Sequence, residues 1–284
     1  MGFSYTIIRT MRGWVLMLVG SVGFIGAGNL AGAIINGIID QGYIIQSKCF
    51  VFDVIPQKAQ EVTPHPVHIC ASPGEVAAQA DYIFLTVKPQ IYEQAIGQIK
   101  HLLDDTKVLV SVAAGMPTAR IKQFAGCDCK VIRTMPNTPI LLGQGAVALA
   151  KTPPVTNDEF DYVLNLFNAV GKAAVIDEAQ MDAIIAVNGS SPAYFFLFAK
   201  AVTDFAAGQG IDHETALALF CQTMIGSAHM LLDAGKSPEE LIQMVASPNG
   251  TTEAALKSFA ATGFVQGIAD AMAACTNRAI ELGQ

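Results

Sequence analysis

The strongest indication of the fold is the stretch Gly23-Phe24-Ile25-Gly26-Ala27-Gly28-Asn29-Leu30-Ala31-Gly32. It carries the pattern G-x-G-x-x-A at Gly26, Gly28 and Ala31, between an apolar run and a helix-like segment. Gly26 permits a tight turn, Gly28 lets a pyrophosphate approach the backbone, and Ala31 allows close packing of helix on strand. The amides and dipole of the helix start favour the anion. A glycine-rich turn without a ligand is the alternative, but the strand–turn–helix setting favours a dinucleotide site comprising Gly26, Ala27, Gly28, Asn29 and Leu30.

Outward from this stretch, short apolar runs alternate with amphipathic segments as far as about Asp177. The predicted strands are Leu18–Ile25, Cys49–Val54, Tyr82–Val87, Val108–Val112, Lys130–Thr134, Gly145–Leu149 and Ala173–Ile176. The predicted helices among them are Asn29–Gln41, Ile91–Leu103 and Asp158–Val170. This alternation predicts an α/β fold with a Rossmann-like, doubly wound and mostly parallel sheet over residues 17–178. Residues 1–16 are interpreted as an extension, with Met11 or Met17 as alternative starts.

Residues 179–284 show only helical periods, and their faces are rich in Ala, Leu, Met and Phe. The predicted helices are Met181–Asn188, Pro192–Gln209, His213–Asp233, Pro238–Val245, Thr251–Thr262 and Gly263–Leu282. A helical segment this apolar is hard to solvate alone. We expect an all-α dimerisation and substrate-binding domain that forms a homodimer, or a larger homo-oligomer built from such dimers.

Composition excludes several classes of protein. Of 284 residues, 52% are hydrophobic and 14% charged, and the net charge of −7 offers no basic surface for nucleic acid. No charge occurs between Gly13 and Ile39, a length that could span a membrane, but its glycines mark a strand, a loop and a helix instead. Among the 6 cysteines only Cys127 and Cys129 are close, and C-x-C is not a zinc spacing. We expect no metal, no membrane and a cytoplasmic location with reduced cysteines.

Further candidate cofactor residues follow the predicted strands, at the sheet edge where open α/β folds bind ligands. Asp53 ends the second strand, where a carboxylate accepts the adenosine ribose hydroxyls and repels a 2′-phosphate, and no Lys or Arg follows it before Lys58. Asp53 therefore favours NADH over NADPH, unless it only caps the next helix. The other strand-exit candidates are Val87, Lys88, Pro89, Ala113, Ala114 and Asn137.

The stretch Ser247-Pro248-Asn249-Gly250-Thr251-Thr252 opens a C-terminal helix with more hydroxyl groups than one cap requires. Redundant capping of a surface helix is one interpretation. A small anion held at the helix N-terminus is the other. Neither this stretch nor Asn188-Gly189-Ser190-Ser191-Pro192 contains a His, Cys or Lys that could act as base or nucleophile. A hydride acceptor that carries its own proton needs neither group.

Six motifs follow one another between Val22 and Leu282: GFIGAGNLA, VKPQ, SVAAG, RTMPNTP, SPAY and SPNGTT. With these motifs in family order, the chain resembles the pyrroline-5-carboxylate reductase family. The resemblance implies reduction of a cyclic imino acid, L-1-pyrroline-5-carboxylate, to L-proline with NADH or NADPH. It implies that the turn from Ser247 through Asn249 and Gly250 to Thr251 holds the substrate carboxylate, and that the Thr252 hydroxyl contacts the ring nitrogen. It also places the acid Glu178 at the substrate pocket.

Three departures from the family pattern affect these expectations. Asn249-Gly250 stands where the family has Gly-Gly, and because Asn tolerates positive φ we expect the turn to survive. Ser191 adds a side chain where the family has glycine. Asp53-Val54-Ile55 replaces an Asn-Arg-Ser suited to a 2′-phosphate, which puts the usual NADPH preference in doubt.

Two other functions fit parts of the pattern. A β-hydroxyacid dehydrogenase would use a lysine as acid and base, and Lys200 is the candidate, but no glycine cluster directly precedes it. A redox-sensing scaffold would bind the dinucleotide without turnover, and the SPNGTT turn would then be only a cap.

Overall fold

The computed structural model describes residues 5–10, 13–18 and 20–284, and of the first two ranges only the backbone. Met11, interpreted above as an alternative start, lies outside the described residues. The chain forms two compact units. One comprises Met1–Ser190 together with Cys275–Gln284, and the other comprises Ser191–Ala274.

The strands of the first unit form a two-stranded hairpin and an eight-stranded sheet. They are β1 (Tyr5–Thr10), β2 (Gly13–Leu18), β3 (Val22–Ile25), β4 (Cys49–Phe52), β5 (His68–Ile69), β6 (Tyr82–Leu85), β7 (Val108–Ser111), β8 (Lys130–Met135), β9 (Gly145–Lys151) and β10 (Gly171–Val175). The large sheet has the order β10-β9-β8-β7-β6-β3-β4-β5. Its neighbouring strands are parallel except for β8 and β9. The Rossmann-like, mostly parallel sheet expected from the alternation is confirmed.

The helices of the first unit are α1 (Asn29–Asp40), α2 (Pro56–Glu61), α3 (Pro73–Gln79), α4 (Tyr92–Ile99), α5 (Thr118–Ala125), α6 (Asn157–Asn168) and α7 (Met181–Ile184). The second unit, called the helical unit below, contains α8 (Ser191–Gly208), α9 (His213–Asp233), α10 (Pro238–Val245), α11 (Thr251–Ala261) and the first half of α12 (Phe264–Gly283). The end of α12, from Cys275, belongs to the first unit. A single π turn, Ile185–Gly189, follows α7.

The two central strands of the large sheet, β3 and β6, are fully buried and border a candidate ligand site. All four residues of β3 and of β6 are buried, and the rings of Phe24 and Phe84 stack with centroids 4.7 Å apart. Burial of each such side chain contributes about 1.5–3 kcal/mol. Chain order reverses between β3 and β6, so the loops after these two strands diverge and leave a crevice at their carboxyl ends.

Several predicted boundaries are wrong. The first sheet strand begins at Val22 rather than Leu18, because Gly13–Leu18 pairs antiparallel with Tyr5–Thr10 in the separate hairpin. Besides the hairpin strand β1, four short elements were not predicted: α2, α3, α5 and β5. β5 has only two residues and α2 only six, too few for a periodic signal.

The helical unit exposes many large apolar side chains. Examples are Phe195, Phe196, Leu197, Phe205, Leu219 and Leu232. Faces of this kind mark surfaces that another molecule covers. By length and composition, α9 is the one helix in the described residues that could cross a membrane, with a mean hydropathy of 1.4 and 6% of that stretch buried. One such helix is weak evidence for a membrane span.

Candidate active site

The glycine loop, Gly26 to Gly28 after β3, packs closely against the start of the loop after β6. Gly26 has φ +107°, and a Cβ there would lie 2.7 Å from the carbonyl oxygen of Thr86 and 2.9 Å from a methyl of Val87. Only glycine therefore allows this close approach of the loops after β3 and β6. At Gly28 a Cβ would meet no heavy atom within 4 Å, so its backbone faces open space.

The N-terminus of α1 is left without a side-chain cap. Gly28 occupies the capping position, no side chain accepts a hydrogen bond there, and the first turn holds no acid. The first amides of the 12-residue helix α1 therefore keep their capacity to bind an anion. With the open space at Gly28, these residues fit the pyrophosphate of a dinucleotide. The exposed Asn29 and the half-buried Leu30 form the first turn of α1, and Leu30 packs on the core.

Asp53 lies at the end of β4 and joins the glycine loop. Its Oδ2 accepts a 2.8 Å hydrogen bond from the amide of Ala27, and its Oδ1 accepts a 2.9 Å bond from the amide of Ile55. The carboxylate is thereby held between the two loops that would flank an adenosine ribose. Each carboxylate oxygen has a second lone pair that remains available for a hydroxyl.

The loops after β6 and β7 rest on a buried tyrosine. Tyr92 donates a 2.8 Å hydrogen bond to the carbonyl of Leu85, and its hydroxyl lies 3.1 Å from that of Ser111. Burial raises the pKa of Tyr92 to about 12, so the hydroxyl stays protonated at neutral pH. Of the predicted cofactor residues, Lys88 and Pro89 begin the turn after β6, while Ala113, which is buried, and Ala114 follow β7.

Both polar atoms of the Asn137 side chain form hydrogen bonds within the protein. Its Oδ1 accepts a 2.8 Å bond from the amide of Ala146, and its Nδ2 donates a 3.1 Å bond to the carbonyl of Asn188. Asn188 in turn donates to the carbonyls of Met135 and Ala146. This pair of amides fixes the loop after β8 against the π turn, which supports a positioning role for Asn137 better than a cofactor contact through its side chain.

In the helical unit, the stretch Ser247–Gly250 forms a tight turn. The amide of Gly250 donates a 3.0 Å bond to the carbonyl of Ser247, and Asn249 has φ 62°. Proline followed by a residue with positive φ is typical of a type II turn. The expectation that asparagine tolerates this conformation is confirmed.

The turn leads into α11 without capping it. Gly250 occupies the capping position of α11 with no side-chain hydrogen bond. Instead the Oε2 of Glu253 reaches back to accept a 2.7 Å bond from the amide of Asn249, and its Oε1 pairs with Lys257 at 3.1 Å. The first amides of α11, including those of Thr251 and the half-buried Thr252, therefore have no side-chain acceptor. This does not support the interpretation of redundant hydroxyl capping.

Glu178 lies in an ion-pair network in the first unit. Its Oε1 accepts a 2.9 Å bond from the amide of Thr118 and lies 3.5 Å from Nη1 of Arg133, whose Nη2 donates to Asp182. The Arg133 side chain is 3% exposed. The second oxygen of Glu178 is enclosed and has no hydrogen-bond partner. This geometry supports a structural role for Glu178 better than the predicted substrate contact.

The structure brings predicted cofactor residues together in the first unit and predicted substrate residues together in the second. One crevice of the first unit contains Gly26, Ala27, Asp53 and Val87. In the second unit, the turn Ser247–Gly250 leads directly into Thr251 and Thr252 at the start of α11. Sequence reasoning missed Arg133, Asn188 and Glu253, whose roles depend on their partners. The signal available for Arg133 was a cation in the middle of a strand, directly after the apolar pair Val131 and Ile132. Over the described part of the chain, no group of three His, Cys, Asp or Glu could hold a metal ion.

Comparison with known proteins matches both halves of the chain. Residues 178–282 match the family model described as pyrroline-5-carboxylate reductase dimerisation, and residues 21–115 match that of NADP oxidoreductase, coenzyme F420-dependent. The pyrroline-5-carboxylate reductase of Pseudomonas aeruginosa is 40% identical, over 93% of this chain and 97% of that protein. That of Escherichia coli is 35% identical, over 93% and 98%. A pyrroline carboxylate reductase structure from Plasmodium falciparum with NADP bound superimposes with a TM-score of 0.86 at 27% identity, covering 94% of this chain and 100% of that one.

Proposed function

Because this chain belongs to the pyrroline-5-carboxylate reductase family, we propose that the uncapped starts of α1 and α11 bind the cofactor and the substrate of the family's reaction. The chain reduces L-1-pyrroline-5-carboxylate to L-proline by hydride transfer from NAD(P)H, the last step of proline biosynthesis. The start of α1 binds the cofactor pyrophosphate, and the start of α11 binds the substrate. When bound, NAD(P)H supplies the hydride.

At the substrate end, the observation that carries the proposal is the uncapped start of α11 after a turn with Asn249 at φ 62°. The turn from Ser247 through Asn249 to Gly250 leads into α11, and the amides of Thr251 and Thr252, which have no side-chain acceptor, receive the substrate carboxylate. The Thr252 hydroxyl contacts the ring nitrogen. A protonated ring nitrogen makes the neighbouring carbon electrophilic. The protein therefore needs only to align donor and acceptor, and no residue acts as nucleophile.

At the cofactor end, Gly26 to Leu30 hold the pyrophosphate and Asp53 accepts the ribose hydroxyls. A negative charge at Asp53 disfavours the 2′-phosphate of NADPH, so we propose that NADH is the preferred donor. Val87, Lys88 and Pro89 border the adenosine side, and Ala113 and Ala114 leave room for the nicotinamide. Asn137 fixes the loop beside them.

The chain assembles as a homo-oligomer. Its exposed apolar helices support dimerisation through residues 179–284, and larger assemblies would add dimers to one another. Residues 17–178 then form the dinucleotide-binding domain, with residues 1–16 as an extension. All six cysteines are free, which supports a reducing compartment, and we assign the protein to the cytoplasm.

Initial rates with racemic pyrroline-5-carboxylate, measured with NADH and NADPH side by side, test the proposal. Turnover with either cofactor supports it, and the ratio of the two efficiencies tests Asp53. Cofactor binding without turnover would instead favour the redox-sensing scaffold. The hydroxyacid dehydrogenase alternative gains nothing from Lys200, which is 70% exposed and pairs with Asp204 on its own helix.

A further inference from the structure

A cavity of about 430 Å³ opens between α1 and α2, directly beside the glycine loop. Its wall includes Gly28 and Asn29 at the start of α1 and Lys58 and Glu61 on α2. Lys58 thus faces the same space as the residues assigned to the pyrophosphate. The sequence alone gave Lys58 no role, since it lies five residues beyond Asp53 on an element that was not predicted.

Within the described part of the chain, Lys58 forms no ion pair in this cavity, although the carboxylate of Glu61 also lines it. Among the ion pairs of residues 20–284, none includes Lys58. The nearby carboxylate of Glu61 accepts a 2.8 Å hydrogen bond from Gln57 instead. Lys58 is exposed and can extend along the cavity wall.

Asp53, assigned to the adenosine ribose, is close in sequence to α2, the helix that carries Lys58. The Asp53 carboxylate lies between Ala27 and Ile55, where its bonds to both amides hold it at the junction of the glycine loop and the β4–α2 loop. A ribose held by Asp53 would lie beside the β4–α2 loop, which leads into α2 and Lys58. A phosphate on the 2′ position of that ribose would meet the negative charge of Asp53 and the positive charge of Lys58.

We propose that Lys58 binds the 2′-phosphate of NADPH and so allows this chain to use NADPH in spite of Asp53. The proposal rests on the cofactor site given under the proposed function and assigns a specificity residue within it. Asp53 sets the preference for NADH, and Lys58 sets how much NADPH activity remains. An ammonium–phosphate pair is a charge-assisted contact that NADH, which lacks the phosphate, does not make.

Binding of two adenosine fragments tests the assignment without any turnover. Calorimetric titration with 2′,5′-ADP and with 5′-AMP isolates the contribution of the 2′-phosphate. We expect Lys58→Ala to weaken 2′,5′-ADP binding about tenfold and to change 5′-AMP binding less than about twofold. Lys58→Arg retains most of the binding. Lys48→Ala, which removes another exposed lysine outside this cavity, is the matched control and changes neither.

Kinetics provides the second measurement. We expect Lys58→Ala to lower kcat/KM for NADPH about tenfold and to leave kcat/KM for NADH within about twofold. In the unmodified protein, added salt should raise the KM for NADPH more than the KM for NADH, because salt screens the ammonium–phosphate pair. In Lys58→Ala this difference between the two cofactors should disappear. Equal losses for both fragments would mean that Lys58 contacts the shared part of the cofactor, and no loss for either would mean that it is only solvated. Both results overturn the assignment. Absence of imine reduction in every variant would overturn the proposed function, while the fragment titrations would still decide the role of Lys58.

Discussion

The backbone amide of Ala27 donates a 2.8 Å hydrogen bond to Oδ2 of Asp53, a residue 26 positions further along the chain. This bond ties the glycine loop to the end of β4. It also fixes the Asp53 carboxylate at the carboxyl end of β4, beside the glycine loop. The proposed preference for NADH depends on this carboxylate, whose position is set by backbone amides.

Asp53→Asn removes the negative charge and keeps one oxygen that can accept the Ala27 amide, while the hydrogen bond from the Ile55 amide is lost. We expect the ratio of kcat/KM for NADPH to that for NADH to rise about tenfold, because repulsion of the 2′-phosphate is lost. Initial rates with both cofactors measure the ratio. Asp105→Asn, an exposed acid before β7, is the control and leaves the ratio unchanged. An unchanged ratio in Asp53→Asn would show that the carboxylate does not face the 2′ position.

Thr252→Ala removes the hydroxyl assigned to the ring nitrogen. We expect kcat/KM for the imine to fall about tenfold, since one such hydrogen bond contributes ~1–2 kcal/mol. Cofactor affinity, measured by fluorescence titration, stays the same. Thr262→Ala is the matched control, because the Thr262 hydroxyl only bonds carbonyls of its own helix end. Equal activity in the two variants would remove Thr252 from the mechanism.

Asn249 is the one residue other than glycine with positive φ in residues 20–284. Asn249→Gly keeps this conformation, so we expect substrate KM to remain within about twofold. Asn249→Val forces a β-branched residue into it at a cost of ~1–2 kcal/mol or more, and we expect kcat/KM for the imine to fall at least about tenfold. Full activity of Asn249→Val would show that the turn geometry is not needed for substrate binding.

Glu178 and Asp182 both pair with Arg133, which makes them a matched set. We expect Glu178→Gln and Asp182→Asn each to lower the free energy of unfolding by ~2 kcal/mol, because either change leaves the buried guanidinium undercompensated. Denaturant titration measures this loss. The KM for the imine should not change in either variant. A higher KM in Glu178→Gln alone would restore the predicted contact between Glu178 and the substrate.

The cysteines differ in reactivity according to burial. Burial raises the pKa of Cys49 to about 12, that of Cys70 to about 11 and that of Cys129 to about 12. A raised pKa leaves almost no thiolate at pH 8, so iodoacetamide should label these three only after unfolding. Cys127 is exposed and should be labelled first. Mass spectrometry of timed digests follows each site, and rapid labelling of Cys49 in the folded protein would contradict the expectation.

Much of the fold was predictable because its signals are local. The G-x-G-x-x-A pattern places a strand, a turn and a helix in order, and the structure has β3, the turn at Gly26 and α1 there. The helix bounds His213–Asp233 and Pro238–Val245 agree with the prediction, since Asp212 and Ser237 accept hydrogen bonds from the amides of their first turns. Such caps involve residues three positions apart and can be read directly from the sequence.

Elements and contacts that depend on distant partners were not predictable. The hairpin of Tyr5–Thr10 with Gly13–Leu18 takes up residues that were assigned in part to the first strand of the sheet. Glu178 was assigned by resemblance, yet its immediate partners are Arg133 and the amide of Thr118, 60 positions earlier. Nothing near Glu178 in the sequence indicates that pairing.

Local sequence patterns were sufficient to predict the Rossmann-like sheet, the helical second half, the glycine loop and the turn before α11, because each depends on residues within one turn or one strand period. The three-dimensional packing was needed to show that Asn137 bonds Asn188, that Arg133 pairs with Glu178, and that Lys58 lines the cavity at the glycine loop. These contacts require strand order and helix placement, which bring together residues that no local pattern relates.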